Sequence, residues 1–338
     1  MKLAIIGTGK IIPEVLTNLR EIPSNIIEVK AIFCRQHSFD KADRFSKEFS
    51  IPRIYTDYDE LLNDEEIDFV YIALVNTAHF EYTKRALLAD KNVILEKPST
   101  PSYKETCELA QLAVERGLYL FEAVTFLHMP NFQKIKEMLP KLGNIRLVQC
   151  NYSQYSSRYD AYKKGEVLPA FDPAFYGGAL YDINIYNINY VVGLFGEPVA
   201  VNYTANHGFN GIDTSGTIVM KYPEFIAICS AAKDSQSPSS LIVQGDRGYI
   251  KVSSAPNVFT DFTVSIDGKT KSRCFNQYTL HMIHEFIDFA QMYDRKDYER
   301  MKYYLEISKV VIKTAEQAGQ SAGILFGEPQ KVISASAS

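Results

Sequence analysis

Residues 92–100 read NVILEKPST, an apolar run that carries two charges, Glu96 and Lys97, to its tip and stops at a proline. An unpaired lysine is costly to bury, and the residue before proline is confined to extended or turn geometry. Lys97 is therefore either a solvated charge at a strand end or an ammonium held on a stiff turn for chemistry. A second pattern opens the chain. In LAIIGTGKII a strand runs into Gly7-x-Gly9 and then a helix. The first glycine permits a tight turn, and the second lets backbone approach a pyrophosphate seated at a helix N-terminus.

The expected cradle is Gly7, Thr8, Gly9, Lys10 and Ile11; Ile12 replaces the third glycine of the G-x-G-x-x-G pattern. The bland alternative is a glycine turn before an ordinary helix. The second strand ends at AIFCRQ, with no acid near Cys34 to hold ribose hydroxyls and with Arg35 next. A guanidinium there can pair with a phosphate and lie over adenine. NADP is thus favoured over NAD, against a merely solvated Arg35.

Elements to position these residues are legible along residues 1–125. Candidate strands are Lys2–Ile6, Val29–Cys34, Phe69–Ala73, Val93–Leu95 and Tyr119–Phe121, and candidate helices run about 10–20, 39–49, 78–89 and 103–116. Alternating strands and amphipathic helices imply a doubly wound parallel sheet. Beyond about Pro130 the texture changes. A strand in IRLVQCNYSQY and a Tyr-rich loop to about Asp172 lead to a helix from Gly178 to Leu194. Strand-like runs follow at 199–207, 214–221, 226–231, 240–244, 249–252 and 259–266. Strands without intervening helices suggest an open, mostly antiparallel sheet. Helices at about 280–293 and 297–318 and a Ser/Ala tail at 334–338 close the chain. The expected organisation is a Rossmann domain over 1–125 and an α+β domain for substrate and oligomerisation over 126–338.

A net charge of 36 − 40 = −4 with no basic tract argues against nucleic acid as the main partner. Five scattered cysteines without C-x-x-C suit reduced thiols. No stretch approaches ~20 apolar residues, and the opening apolar run stops at Gly7, short of an export signal. A cytoplasmic protein off the membrane is the expectation.

Taken with VNTAHF at 75–80, EKPS at 96–99 and GGALYDINIYNINYVVGLFG at 177–196, the whole chain resembles the Gfo/Idh/MocA oxidoreductases. The resemblance implies hydride exchange between nicotinamide and a sugar, polyol or related ring. It implies that Lys97 contacts both nicotinamide ribose and a substrate hydroxyl, with a cis bond before Pro98. Asp182 and Tyr186 match the pair on the second-domain helix. Asn76 and His79 match a segment beside the nicotinamide, with Val75 in place of its proline; Glu96 joins the cofactor set. Glu122-Ala123 matches the "EA" after the sixth strand, Leu127 stands where arginine is common, and Asn184 replaces a frequent glycine. A homodimer or homotetramer is also implied.

Asp182 and Tyr186, four apart on a helix, share one face. Oxidising a secondary alcohol needs a base; a free tyrosine titrates near ~10 and is too weak an acid for neutral pH unless an ammonium such as Lys97 favours its phenolate. Asp182 could orient the hydroxyl or keep Lys97 charged. The adjacent GGAL lets the helix start close against other backbone. His128 and Arg158 join Lys97 and Tyr186 as substrate-contact candidates. Tyr152, Tyr155, Tyr159, Tyr162 and Ser157 flank Arg158, with packing their plainer role. His281 and His284 have the spacing to chelate a metal but no third ligand, so no metal is expected. Alternatives are a dihydrodiol-type or enone/imine reductase, and a cofactor-binding sensor without turnover.

Overall fold

The computed structural model describes residues 1–327; the Ser/Ala tail at 334–338 lies outside them. The first elements are β1 (Lys2–Ile6), α1 (Ile12–Arg20), β2 (Glu28–Phe33), α2 (Phe39–Phe49), β3 (Arg53–Tyr55), α3 (Tyr58–Leu62) and β4 (Phe69–Ile72). α4 (His79–Leu88), β5 (Asn92–Glu96), α5 (Tyr103–Glu115) and β6 (Leu120–Ala123) follow. All six strands are parallel, in the order β3-β2-β1-β4-β5-β6. That order reverses direction between β1 and β4, the switch point outside which ligands bind in open α/β sheets. Gly7, Arg35, Asn76 and Lys97 all follow carboxyl ends of strands in this sheet. Leu3 to Ile6 and Phe69 to Ile72 are fully buried, as continuous apolar runs flanked by helices should be.

Two elements escape the sequence pattern. β3 has three half-buried residues, Arg53, Ile54 and Tyr55, and no apolar run. α3 is a single short helix whose start is fixed by Asp57, which accepts from the N–H groups of Asp59 (2.8 Å) and Glu60 (3.2 Å). α1 begins at Ile12 rather than Lys10 because Pro13 occupies its first turn.

The described residues divide into two compact units: Met1–His128 with Tyr278–Lys309, and Met129–Gln277 with 310–327. The first unit thus includes a late helix, Met282–Asp294. Its Phe286 and Phe289 are fully buried and pack on sheet residues, Phe286 at 5.7 Å from Tyr71 and Phe289 stacked 4.5 Å from Phe121. Each such ring contributes roughly 1.5–3 kcal/mol on burial.

The second unit holds α6 (Pro130–Met138), β7 (Ile145–Ser153), α7 (Tyr159–Lys163), a π-helical turn (Leu180–Asn184) and α8 (Ile185–Phe195). Then come β8 (Ala200–His207), β9 (Asp213–Lys221), β10 (Ile226–Ala232), β11 (Ser240–Gly245), β12 (Gly248–Val252), β13 (Phe262–Ile266) and β14 (Lys269–Arg273). Eight strands form one sheet, ordered β14-β13-β12-β11-β7-β10-β9-β8. It is antiparallel apart from the β7–β10 pair. β14, KTKSR, is almost wholly exposed and carries no apolar signal. The closing helices are α9 (Met282–Asp294) and α10 (Tyr298–Ser321). No described helix is long and apolar enough to cross a membrane.

Candidate active site

In the first unit the glycine turn is forced by the chain's own backbone. Gly7 has φ +117°, and a Cβ there would lie 2.7 Å from the Ala73 carbonyl oxygen. Its N–H donates to Phe33 O at 2.9 Å, and Ala73 N–H donates to Ile6 O at 3.1 Å, so the turn is seated between the ends of β2 and β4. Gly9 differs: a Cβ would clear Ala73 O by an ordinary 3.7 Å, so nothing among the described residues requires glycine there. Among the described residues no side chain caps the N-terminus of α1, whereas Asp57 and Ser102 cap α3 and α5. The residues therefore fit a pyrophosphate: a sterically open turn and uncapped N–H groups with the positive end of a helix behind them. Arg35 is exposed in extended backbone directly after the buried Cys34.

Lys97 sits half-buried on a turn held from every side. The Lys97–Pro98 bond is cis. Lys97 N–H donates to Glu96 Oε2 at 3.2 Å, and Tyr71 O–H donates to Glu96 Oε1. Ser99 N–H donates to Glu122 Oε1 at 2.7 Å. Thr100 Oγ1 donates to Ser102 O (2.7 Å), and Thr106 Oγ1 lies 2.8 Å from Thr100 Oγ1 and 3.2 Å from Ser99 Oγ. Burial raises the Glu96 carboxyl above its ordinary value and pushes Glu122 up to about 7. Glu285, on α9, is raised well above its ordinary value by burial and by the charge of Glu96; Thr125 O–H donates to it at 2.8 Å.

His79, expected beside the cofactor, is 1% exposed. Its Nδ1 lies 2.8 Å from Pro98 O and its Nε2 3.3 Å from Leu74 O. Burial lowers its pKa, and a neutral ring donates from one nitrogen only. The shorter Nδ1–H bond to Pro98 O is then the anchor, and His79 ties the exit of β4 to the Lys97 turn. Asn76 starts the helical turn before it, half-buried.

His128 lies in the same unit with its side chain 1% exposed, its Nδ1 2.8 Å from Asp288 Oδ2, between the rings of Phe289 and Tyr304. Asp288 also binds Arg300 at 2.8 Å. Burial raises the Asp288 carboxyl, but the hydrogen bonds and charges of His128 and Arg300 outweigh it and leave it below the ordinary value. His284 accepts from Tyr278 N–H through Nε2 and turns Nδ1 to His281 O at 3.0 Å, a helix-start anchor. No three His, Cys, Asp or Glu are grouped to hold a metal among the described residues.

In the second unit the expected helix over 178–194 forms, but its start is not a regular α-helix. Leu180–Asn184 is a π turn. Asn184 donates through Nδ2 to Cys229 O at 3.1 Å. Asn187 donates to Ser230 O (3.0 Å) and Asn184 Oδ1 (2.8 Å), fastening the helix to β10. Gly178, at φ +88°, leaves no room for a Cβ beside the Asp213 carboxylate, which accepts from Leu180 N–H at 2.6 Å. The glycine pair does let the helix begin in close contact. From Gly177 through Leu194 every residue is buried except Asp182 and Tyr186. The shared face therefore survives the π turn, which advances fewer degrees per residue than an α-helix.

Tyr186 packs against Tyr152 (5.8 Å, edge to face) with Ile183, Ala231 and Ala255 around it. Asp182 pairs with Lys233, Nζ to Oδ2 2.7 Å, a residue that sequence reasoning passed over. Its only signal is a lysine directly after the apolar strand IAICSAA. Arg158 precedes α7, half-buried, with its N–H on Ser156 Oγ at 3.3 Å. Tyr162 stacks with Phe171 and Phe209 and, with Tyr159 against it, builds the loop's own core, whereas Tyr155 is exposed and its O–H donates to Asp160.

Residues 1–124 match the family described as oxidoreductase family, NAD-binding Rossmann fold. Residues 132–251 match the GFO/IDH/MocA C-terminal domain. The chain is 31% identical over 326 residues to the uncharacterized oxidoreductase YgjR of Escherichia coli (strain K12), covering 96% of this chain and 98% of that one. It is also 31% identical over 333 residues to scyllo-inositol 2-dehydrogenase (NADP(+)) IolU of Bacillus subtilis (strain 168), covering 98% and 99%. The solved structure of KijD10, a 3-ketoreductase from Actinomadura kijaniata, shares the fold with TM-score 0.82 at 23% identity, covering 95% and 97%.

Proposed function

The chain belongs to the Gfo/Idh/MocA family of NAD(P)-binding oxidoreductases, and from that premise we propose that it oxidises a ring hydroxyl on a sugar or polyol, or reduces the matching carbonyl, with NADP as preferred partner. The observation that carries the reading is the burial pattern of the second-unit helix, which leaves only Asp182 and Tyr186 accessible from Gly177 to Leu194. A helix so thoroughly packed that spares one acid and one phenol is arranged for proton transfer rather than for solvation.

The nicotinamide, when bound, supplies the hydride acceptor or donor. Gly7, Thr8, Gly9, Lys10 and Ile11 would hold its pyrophosphate, and Gly9 has no structural reason to be glycine other than such an approach. Asn76 and Glu96 belong to the same cradle in this reading, with His79 acting through the Lys97 turn it anchors. Arg35, with no acid at the end of β2, would take the 2′-phosphate; a relative of nearly full coverage is named for NADP(+).

Tyr186 takes the hydroxyl proton in oxidation and returns it in reduction. Lys97, aimed by its braced turn, stabilises the phenolate or alkoxide by its positive charge. Asp182 accepts a hydrogen bond from the substrate. Arg158 is assigned to substrate, whereas His128 would reach it only if its pair with Asp288 opened. The reading requires Lys97 and Tyr186 to serve one substrate. A homodimer or homotetramer in the cytoplasm completes the proposal.

The test is steady-state nicotinamide absorbance with NADP+ and a panel of inositols and sugars. Turnover is expected for at least one, and Tyr186→Phe should lower its kcat by about 10²–10⁴-fold with little change in KM. Binding of NADP+ without turnover across the panel and across dihydrodiols would contradict the reading and favour a sensor; turnover of dihydrodiols alone would redirect the substrate class.

A further inference from the structure

Lys233 is a buried charge with no role in the chemistry so far. Its side chain is 2% exposed. Its Nζ lies 2.7 Å from Asp182 Oδ2 and 2.5 Å from Ala170 O, and 4.4 Å from the centre of the Phe171 ring. Taking an ammonium out of water costs several kcal/mol even after relaxation, and an apolar residue of the same shape often serves packing as well or better. A purely structural account therefore leaves the charge unexplained.

The partners of Lys233 are specific. One is the acid on the accessible face of the helix; two belong to the turn Pro169–Phe171, in the segment between β7 and that helix. The Lys233 carbonyl engages the same segment, accepting from Ser156 N–H at 2.9 Å, while its N–H donates to Thr214 O of β9 at 2.8 Å. One residue thus joins Asp182 to both ends of the 156–171 segment.

We propose that Lys233 is a positioning residue: its buried ammonium keeps Asp182 ionised and in one orientation, and clamps the 156–171 segment beside it. Asp182 then acts only as a hydrogen-bond acceptor and never as the proton donor, which leaves proton transfer to Tyr186. The pair also offsets the negative charge of Asp182, which would otherwise oppose a phenolate on the same face. This rests on the function proposed above. The other titratable groups around the clamp are Asp213, which accepts from Tyr203 O–H (2.7 Å) and Leu180 N–H, and Asp234, which accepts from the hydroxyls of Thr214 (2.7 Å) and Ser215 (2.8 Å). Tyr152, on β7, faces Tyr186 of the helix edge to face at 5.8 Å.

The experiment follows Asp182 directly by carbon NMR of carboxyl-labelled aspartate, with the signal assigned by D182N. Wild type is compared with K233M and K233R, alongside pH profiles of kcat/KM and NADPH binding by fluorescence. In K233M the Asp182 midpoint should rise by about one pH unit or more, kcat/KM should fall at least tenfold with its acid limb moved up equally, and NADPH affinity should hold within about twofold; K233R should recover the midpoint. If K233M does not fold, K233Q, which keeps a polar end for Ala170 O, takes its place.

An unchanged Asp182 titration in the neutral variant overturns the proposal, whatever its thermal midpoint. So does a shifted titration with an unaltered pH profile. If wild type turns over nothing in the panel, the proposed function falls, and the titration alone then decides whether Lys233 holds the carboxylate.

Discussion

The turn that carries Lys97 and the helix that carries Tyr186 are immobilised by different chemistry. The turn is fixed by ionisable groups: Glu96 on the Lys97 N–H, Glu122 on the Ser99 N–H, and His79 on the Pro98 carbonyl. The helix is fixed to its sheet by amides, Asn184 on Cys229 O and Asn187 on Ser230 O, with Asp213 capping its first turn. Amides hold the same bond at any pH; carboxyls and imidazoles do not, and the helix carries one of these too in buried Asp213, whose carboxyl burial raises above its ordinary value. The Lys97 turn should therefore respond to pH through its anchors, whereas the Asn184 and Asn187 anchors of the Tyr186 helix should not.

The largest expected effect tests the first half of that contrast. An ordinary Glu releases its proton near 4.5, whereas burial pushes Glu122 up to about 7. Between those values the folded protein keeps a proton that the unfolded chain has lost, so stability is full below about 4.5 and falls as pH rises toward 7. The accumulated loss is at most roughly 3 kcal/mol. Glu122→Gln keeps an acceptor for Ser99 N–H without the charge. Urea unfolding should show the variant more stable than wild type at pH 8 and equal at pH 4; a variant that loses stability equally at both would place the contrast elsewhere.

Next in size is the helix anchor. Asn184→Ala leaves Cys229 O and an Asn187 contact unsatisfied and should cost about 2 kcal/mol, the same at pH 5 and pH 8. A pH-dependent cost would break the distinction between the two scaffolds.

Much of this arrangement is written in the sequence, and the exceptions have physical causes. Gly7 and Lys97 announce themselves because each breaks an apolar run with a residue whose backbone or charge needs a reason. The long helix over 178–194 is legible from its apolar content. Its π turn is not, because it depends on Asn184 and Asn187 meeting carbonyls of β10, a strand far along the chain. β3 and β14 lack apolar runs and are ordered by their neighbours. The membership of Met282–Asp294 in the first unit rests on Phe286 and Phe289 meeting Tyr71 and Phe121, contacts that no local pattern predicts. Lys233 is invisible for the same reason: its partner, Asp182, lies far back in the sequence.

The smallest effect sharpens the cofactor side. Arg35→Ala should raise KM for NADP+ by about tenfold while leaving KM for NAD+ nearly unchanged, a loss of roughly 1.4 kcal/mol of discrimination. Equal changes for both dinucleotides would remove Arg35 from the phosphate site.

The claim that two separately built scaffolds serve one proton is tested most directly by a double-mutant cycle on kcat/KM. Lys97→Ala and Tyr186→Phe are each expected to lose about 10³-fold, and the double variant little more than the worse single, because a phenol that has lost its ammonium has little left to lose. A double variant that loses the full product of the two, about 10⁶-fold, would show that the ammonium and the phenol act independently.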